Sequence, residues 1–387
     1  MKIVHIITRL IVGGAQENTL LSCEGQHALG HEVTLITGPP AGPEGSLLER
    51  AQASGYRMEI DANLIRAVRP AVDYRAYRGL VQRLRELHPD IVHTHSSKAG
   101  IIGRWAAHQA NKRGAKAKII HTIHGLAFTA STRKSVNAAY RWLERRAAPI
   151  TDRIVCVATD MAAQSLAAGI GRPEQYVTVY SGMDTQPFLS PPVPRDEVRQ
   201  SLGIAAGDVV VGTIARLFHM KGHDDLLALA PALCRAHPHL KFLWLGDGLL
   251  RPQFERQIAE MNLQNRFILT GLVPPTRIPE LVNAMDILVH PSRREGLARA
   301  LPQGQLAGCP VVTYDIDGNR EGLIDGQTGY LVSPFDRTIL AQRLSALLSG
   351  PQQAREMGAA GRAFARERFD TSAMVSGLER VYQEVVQ

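Results

Sequence analysis

Short apolar runs separated by longer amphipathic stretches recur along the whole chain. In the first half the runs are KIVHIIT (2–8), EVTLIT (32–37), DIVHTH (90–95), KIIHTIH (118–124), RIVCVAT (153–159) and YVTVYSG (176–182). The second half repeats the plan with VVVGTIAR (209–216), KFLWLGDG (241–248), RFILTGLV (266–273), DILVHPS (286–292), PVVTYDI (310–316) and GYLVSP (329–334). β-Branched runs alternating with helical segments such as 71–87 predict parallel sheets with crossover helices, an α/β doubly wound plan. The proline-rich stretch FLSPPVPRDE (188–197) divides the two series as a stiff connector. The expected organisation is therefore a Rossmann-like domain over 1–188 and a second over 189–370. Residues 371–387 are expected to form a C-terminal helix packing back toward the first domain.

Composition agrees with this reading. The chain has 387 residues, 45% apolar and 21% charged, as expected of two soluble globular domains. The opening MKIVHIITRLIVGG is apolar for only about ten residues, too short to span a bilayer, and no small-residue cleavage site follows it. Cys23, Cys156, Cys234 and Cys309 lack metal-ligand spacing and read as buried free thiols, which points to a reducing, cytoplasmic compartment.

Charge changes the picture more. Residues 1–190 hold 23 Lys and Arg against 15 Asp and Glu, and the remainder is balanced, so the whole net charge of +8 belongs to the first half. Residues 62–146 concentrate it, with 17 basic and 4 acidic residues. Such a surface suits an anionic partner: nucleic acid, acidic lipid headgroups or a phosphorylated substrate. The segment holds no recognisable RNA-binding module, so nucleic acid is not expected.

Ligands of doubly wound folds bind at the carboxyl ends of the strands, where this sequence places its polar chemistry. Gly13 and Gly14 follow the first strand and lead into a helix, a turn that lets backbone approach a phosphate, although the GxGxxG fingerprint is absent. VHTHSSKAG (92–100) and HTIHGLAF (121–128) end strands in histidines. The i, i+2 pair His93/His95 faces one side of a strand, but no carboxylate or third ligand lies nearby in the pattern, so no metal is expected. His124 differs because Gly125 lets its loop close over a ligand. In the second half Arg216 and Lys221 converge on a helix start, suited to a diphosphate. Glycine turns follow later strands at Gly246 and Gly248 (GDG), at TGLVP (270–274) and at HPSRREG (290–296), and NREGLIDGQTGYLV (319–332) closes the series with Glu321.

In this order the set resembles the retaining glycosyltransferases of family 4, which have the GT-B fold of two Rossmann-like domains facing across a cleft. Around VHTHSSKAG and HTIHG it is similar to the branch that builds bacterial capsular, exopolysaccharide and O-antigen chains. The resemblance implies transfer of a sugar from a nucleotide diphosphate sugar, with His124 and Glu295 as candidate catalytic residues. Gly13 and Gly14 would approach the donor phosphate, Arg216 and Lys221 would grip the diphosphate, and Val273 would meet the base through its backbone. Gly246, Gly248, Gly296, Leu297, Ala298 and Glu321 would complete the nucleotide-sugar site. Family members carry Glu, bound to the ribose hydroxyls, where this chain has Gln303. It also has Ala298 for the usual Gly and Gly304-Gln305 for the usual Ala-Met. Pro302 suggests that Gln303 begins a helix stopped at Gly308.

The resemblance further implies no metal or other cofactor and an anionic lipid-linked or glycan acceptor. Peripheral contact of residues 62–146 with the inner face of the plasma membrane goes with that acceptor. Two other readings share the architecture: a nonhydrolysing UDP-sugar epimerase, and a non-catalytic partner subunit, which Gln303 suggests.

Overall fold

Every predicted β-branched run is a strand in the computed structural model, which describes residues 1–39, 45–128 and 133–387. Residues 129–132 of the basic segment 62–146 thus lie outside the described residues. The chain divides into two units, one of residues 1–183 with 371–387, the other of residues 184–370.

The first unit holds β1 (Lys2–Ile7), β2 (Glu32–Thr37), β3 (Arg57–Ile60), β4 (Ile91–His95), β5 (Lys118–Ile123), β6 (Arg153–Cys156) and β7 (Tyr176–Thr178). All pair in parallel in the order β3-β2-β1-β4-β5-β6-β7. β3 is the strand that the hydrophobic pattern misses. Its sequence RMEI alternates charge with apolar residues, and it sits at the sheet edge with no position fully buried. An edge strand needs no continuous apolar run.

The second unit holds β8 (Val209–Ile214), β9 (Leu240–Leu245), β10 (Phe267–Leu269), β11 (Ile287–His290), β12 (Val311–Tyr314) and β13 (Gly329–Val332), in the order β10-β9-β8-β11-β12-β13 and again parallel. In both units the strand order reverses beside the first strand, so each has a switch point where loops diverge and a ligand can enter. Both units are Rossmann-like.

Each sheet is covered on both faces, as parallel sheets require. In the first unit, Val4, Ile6 and Val92 pack on Leu80, Leu84 and Ala106 from the helices Pro70–Leu87 and Ser97–Asn111. On the other face Ile3, Ile91, Ile120 and Val155 meet Met374, Leu378 and Tyr382 of the helix Thr371–Val386, so residues from beyond the second unit complete the first core. That helix lies against the helix Gly14–Ala28 so closely that a Cβ on Gly25 would stand 2.3 Å from Val375 Cγ2. The second core gathers Phe242, Trp244, Phe254 and Tyr314. All four cysteines are buried free thiols.

The helix contact at Gly25 yields a stability prediction. Gly25→Ala should destabilise the protein by about 1–3 kcal/mol through overpacking against Val375. Gly207→Ala, where a Cβ meets nothing within 4 Å, should change it by less than about 1 kcal/mol. Urea unfolding of the two variants checks the contrast.

Candidate functional site

In the second unit the site grows from two loops pressed together. After β8, Arg216 is exposed and lies over the Phe218 ring, 5.0 Å from its centroid, without a carboxylate partner among the described residues. The chain then makes the short turn His219–Lys221 and enters the helix His223–Ala236 through Gly222. Gly222 has φ 73°, and a Cβ there would fall 2.0 Å from the Pro291 carbonyl oxygen, so only glycine fits. The loop after β11 is therefore seated directly on this turn: Arg293 N–H and Ser292 Oγ both donate to the Met220 carbonyl, at 2.8 and 3.1 Å.

That contact brings Lys221 to Glu295. The Lys221 ammonium donates to Glu295 Oε1, and His290 Nε2–H donates to the same oxygen at 3.0 Å. Glu295 is 15% exposed. Burial alone would raise its pKa, but the His290 hydrogen bond and the Lys221 charge outweigh burial and hold it down to about 2.

Buried charges lock the loop in place. Arg293 bridges Asp224 and Asp225 at 2.6 and 2.8 Å, and Asp225 also accepts from Arg337 at 2.5 Å and from the Tyr314 hydroxyl at 2.9 Å. On its other side Glu295 N–H donates to Asp317 Oδ2 at 3.0 Å, Gly318 N–H to the Gly296 carbonyl at 2.9 Å, and Ala298 N–H to Asn319 Oδ1 at 3.3 Å. Leu297 and Ala298 are buried beneath this turn, which ends at Glu321. Sequence reasoning assigned no role to His290, Arg293, Asp317 or Asn319, although the quoted stretches HPSRREG and NREGLIDGQTGYLV contain three of them.

The remaining predicted positions are spread along the same strand ends. A Cβ on Gly246 or Gly248 would come within 2.2 Å of the Ala215 carbonyl oxygen or 2.5 Å of that of Leu217, so both glycines pack the β9 loop onto the Arg216 loop. Val273 is half-buried in the loop after β10. Gln303 does not begin its helix. The helix runs Ala300–Leu306, and Gln303 lies one turn in. Proline is tolerated throughout a first turn, where N–H groups lack intrahelical partners, so Pro302 does not mark the start. Gly308, with φ 84°, does close the helix: its N–H donates to the Gln305 carbonyl at 2.8 Å. The Gln303 side chain is partly buried and hydrogen-bonds to no described residue.

In the first unit, Gly13 precedes the helix that starts at Gly14, whose first turn is partly open to solvent. His124 follows β5 and lines a pocket of about 280 Å³ with Ala15, Ser96, Ser97, Phe128 and Glu144. Ser96 holds a left-handed φ of 63°, a strained conformation that its 2.8 Å hydrogen bond with Thr8 supports. Beneath His124 lies a buried histidine cluster. β1 and β4 pair His5 with His93, and His95 is two residues on, so all three share a sheet face. The sequence pattern offered no third histidine near His93 and His95; register supplies His5, and ring nitrogens of the three gather within 4.8 Å. Those nitrogens are engaged in hydrogen bonds: His5 Nε2 with Gln26 Oε1 (2.6 Å), His5 Nδ1 with His95 Nε2 (2.9 Å) and His95 Nδ1 with His124 Nε2 (3.1 Å). His93 bonds through Nδ1 to the Tyr382 hydroxyl (2.6 Å) and through Nε2 to Thr122 (2.7 Å).

Comparison with known proteins joins these halves to a family. The profile of Glycosyltransferase Family 4 matches residues 12–187, and that of Glycosyl transferases group 1 matches residues 194–364. The chain belongs to the family 4 glycosyltransferases. It is 29% identical over 340 residues to the UDP-Gal:alpha-D-GlcNAc-diphosphoundecaprenol alpha-1,3-galactosyltransferase of Escherichia coli, spanning 87% of this chain and 85% of that one. It is 24% identical over 375 residues to the alpha-D-kanosaminyltransferase of Streptomyces kanamyceticus, spanning 92% and 95%. Among solved structures, Anabaena Alr3699/HepE in complex with UDP superposes with a TM-score of 0.84 at 22% identity over 99% of this chain and 100% of that one, which shows the GT-B fold.

For this family 4 glycosyltransferase the depressed Glu295 carboxyl has a measurable consequence. A folded pKa of about 2, against an ordinary 4.5, contributes stability that is fully present above pH 4.5 and lost as pH falls toward 2. Unfolding free energies measured across that range should fall more steeply for wild type than for Glu295→Gln. Parallel profiles would place the carboxylate outside the ion pair.

Proposed function

We propose that this family 4 glycosyltransferase moves a sugar from a UDP-sugar to a lipid-linked, anionic glycan precursor in cell-surface polysaccharide synthesis. The observation that carries the reading is Arg216, exposed and free of any described carboxylate, on the same loop as Lys221, which ends the turn before the helix His223–Ala236. A diphosphate there meets two cations and the positive helix end. The charge that develops on the departing UDP is stabilised by these groups, the largest single contribution such a site can make, and the reaction then needs no metal. Lys221 is already paired with Glu295, so the diphosphate shares it with that carboxylate. Glu295 keeps Oε2 for hydroxyls of the donor sugar, and the family resemblance gives His124 a role in the transfer step. Attack on the face the leaving group vacates, with the donor phosphate taking the acceptor proton, gives retention.

The UDP and UDP-glucose complexes of Anabaena Alr3699/HepE support the choice of base. The Escherichia coli relative, whose name carries UDP-Gal and a diphosphoundecaprenol, supports the acceptor class. Gln303 takes over the ribose contact of the family's Glu. A ribose hydroxyl can donate to its amide oxygen, and only charge assistance, about a factor of two in bond strength, is lost.

No helix among the described residues is long and apolar enough to cross a membrane. The helix Lys134–Ala147 supports peripheral contact instead. Its Val136 and Trp142 are 39% and 56% exposed among Lys134, Arg141, Arg145 and Arg146, and Ala147 is its one buried residue. Basic and aromatic side chains on one exposed helix suit an anionic lipid surface.

Calorimetry with UDP and a transfer assay test the donor site. Lys221→Ala should weaken UDP binding about ten- to hundredfold, the loss of a charge-assisted contact. His124→Ala should leave UDP affinity within about twofold while transfer falls severely. Gln303→Glu should shift donor affinity by less than about tenfold. Unchanged UDP affinity in Lys221→Ala would remove the diphosphate from this loop.

Sedimentation with vesicles tests the surface. Wild type should pellet with anionic vesicles at low salt and be released by added salt. Trp142→Ala should bind less, and equal pelleting with neutral and anionic vesicles would reject the reading.

A further inference from the structure

Two donors of different kinds meet on one carboxylate oxygen. Lys221 Nζ and His290 Nε2 both bond to Glu295 Oε1, and no described residue bonds to Oε2. Burial pushes the Glu295 carboxyl up, yet the His290 bond and the Lys221 charge hold it down to about 2, so it is ionised. An ionised carboxylate only accepts, so His290 Nε2 carries the proton of its bond. The two donors differ in freedom. His290 closes β11: it pairs with Thr313 of β12, its carbonyl accepts from Thr313 Oγ1 at 2.7 Å, and its side chain is 2% exposed. Thr313 Oγ1 in turn accepts from Asn319 Nδ2 at 3.0 Å, and Asn319 Oδ1 receives the Ala298 N–H. The imidazole is thus anchored in the interior of the sheet and cannot follow a ligand. Lys221 ends its turn on a flexible four-carbon stem, is 22% exposed, and makes no other hydrogen bond to a described residue. Two of its three N–H donors are left over.

We propose that His290 is a positioning residue whose Nε2–H stays on Glu295 when a diphosphate draws Lys221 away, and so makes the lysine available. Stranded charge is the reason. A carboxylate only 15% exposed is poorly solvated once its sole donor leaves. A Lys221–Glu295 pair standing alone would therefore resist any anion that competes for the ammonium. With His290 in place the carboxylate keeps a donor on Oε1, and the lysine turns toward the ligand at small cost. The same bond keeps Oε1 occupied throughout, so Oε2 remains the oxygen that faces a sugar hydroxyl.

The role toward the diphosphate rests on the donor site proposed above; the independence of the His290–Glu295 bond from Lys221 does not. Proton–nitrogen spectra of histidine-labelled protein at neutral pH read that bond directly. The His290 Nε2–H resonance, assigned by its absence in His290→Gln, should be protected from exchange. It should persist in Lys221→Ala and in wild type saturated with UDP, and its loss in either overturns the proposal. Calorimetry with UDP reads the consequence. His290→Phe should weaken UDP binding about tenfold. In a Glu295→Gln background the same substitution should change it by less than about twofold, because no carboxylate then holds the lysine. His290→Gln, which keeps an N–H donor near the place of Nε2, should bind UDP within about threefold of wild type. An equal loss on both backgrounds makes His290 a packing residue and overturns the proposal, as does wild-type affinity in His290→Phe. The spectra decide even if His290→Phe does not fold. If wild type binds no UDP, the donor-site reading fails, and the spectrum of Lys221→Ala still shows whether His290 holds Glu295 unaided.

Discussion

A carbonyl oxygen occupies the space that a side chain at position 222 would need. The contact between Gly222 and Pro291 is the constraint on which the site in the second unit depends. It lets the turn after β8 and the loop after β11 lie backbone against backbone, and the 2.8 Å bond from Arg293 N–H to the Met220 carbonyl fixes their register. Lys221 and Glu295, 74 residues apart in sequence, meet because of it. Any Cβ at 222 would both clash with backbone and demand a left-handed φ of a chiral residue.

Electrostatics is settled by the same packing. A buried carboxylate is poorly solvated. Glu295 stays ionised because His290 and Lys221 supply what water would have supplied. The loop carrying it is held from below by Asp225, 1% exposed, which collects Arg293, Arg337 and Tyr314. A buried acid with three donors is rigid in a way a surface ion pair is not, since its desolvated charge is held from three directions at once. The first unit uses a contrasting device. Its buried polar chain is built from neutral rings, which avoids the desolvation of ions while still dictating orientation.

Much of this was legible in the sequence because parallel strands buried on both faces write themselves as β-branched runs, and because glycine, histidine and basic residues at strand ends are sparse enough to stand out. β3 was not legible, since an edge strand of four residues with two charges has neither the run nor the alternation. The helix around Gln303 was placed three residues late because proline restricts a helix interior but not its first turn. His290 was within a quoted stretch, yet nothing in spacing alone says that its ring reaches the Glu295 carboxylate. His5 was hidden differently. It lies in the middle of an apolar strand, and only the register of β1 against β4 puts it beside His93. Gln26 and Tyr382 come from helices separated by some 356 positions in the chain, a distance over which sequence patterns carry no information about contact.

The placement of Tyr382 bears on how the molecule is made. The second unit is contiguous, residues 184–370, and can close its core as soon as its last strand and helices have left the ribosome. The first unit cannot. Its sheet emerges early, but one face of that sheet waits for residues 371–387, leaving Ile3, Ile91, Ile120 and Val155 uncovered and the Gln26 amide without its tyrosine. The usual order of synthesis, in which the leading domain folds first, is thereby inverted. During that interval the nascent first unit presents an apolar sheet face and a histidine cluster missing one of its partners, so the period of greatest exposure to chaperones, proteases and stray metal ions falls on the half that is made first and finished last.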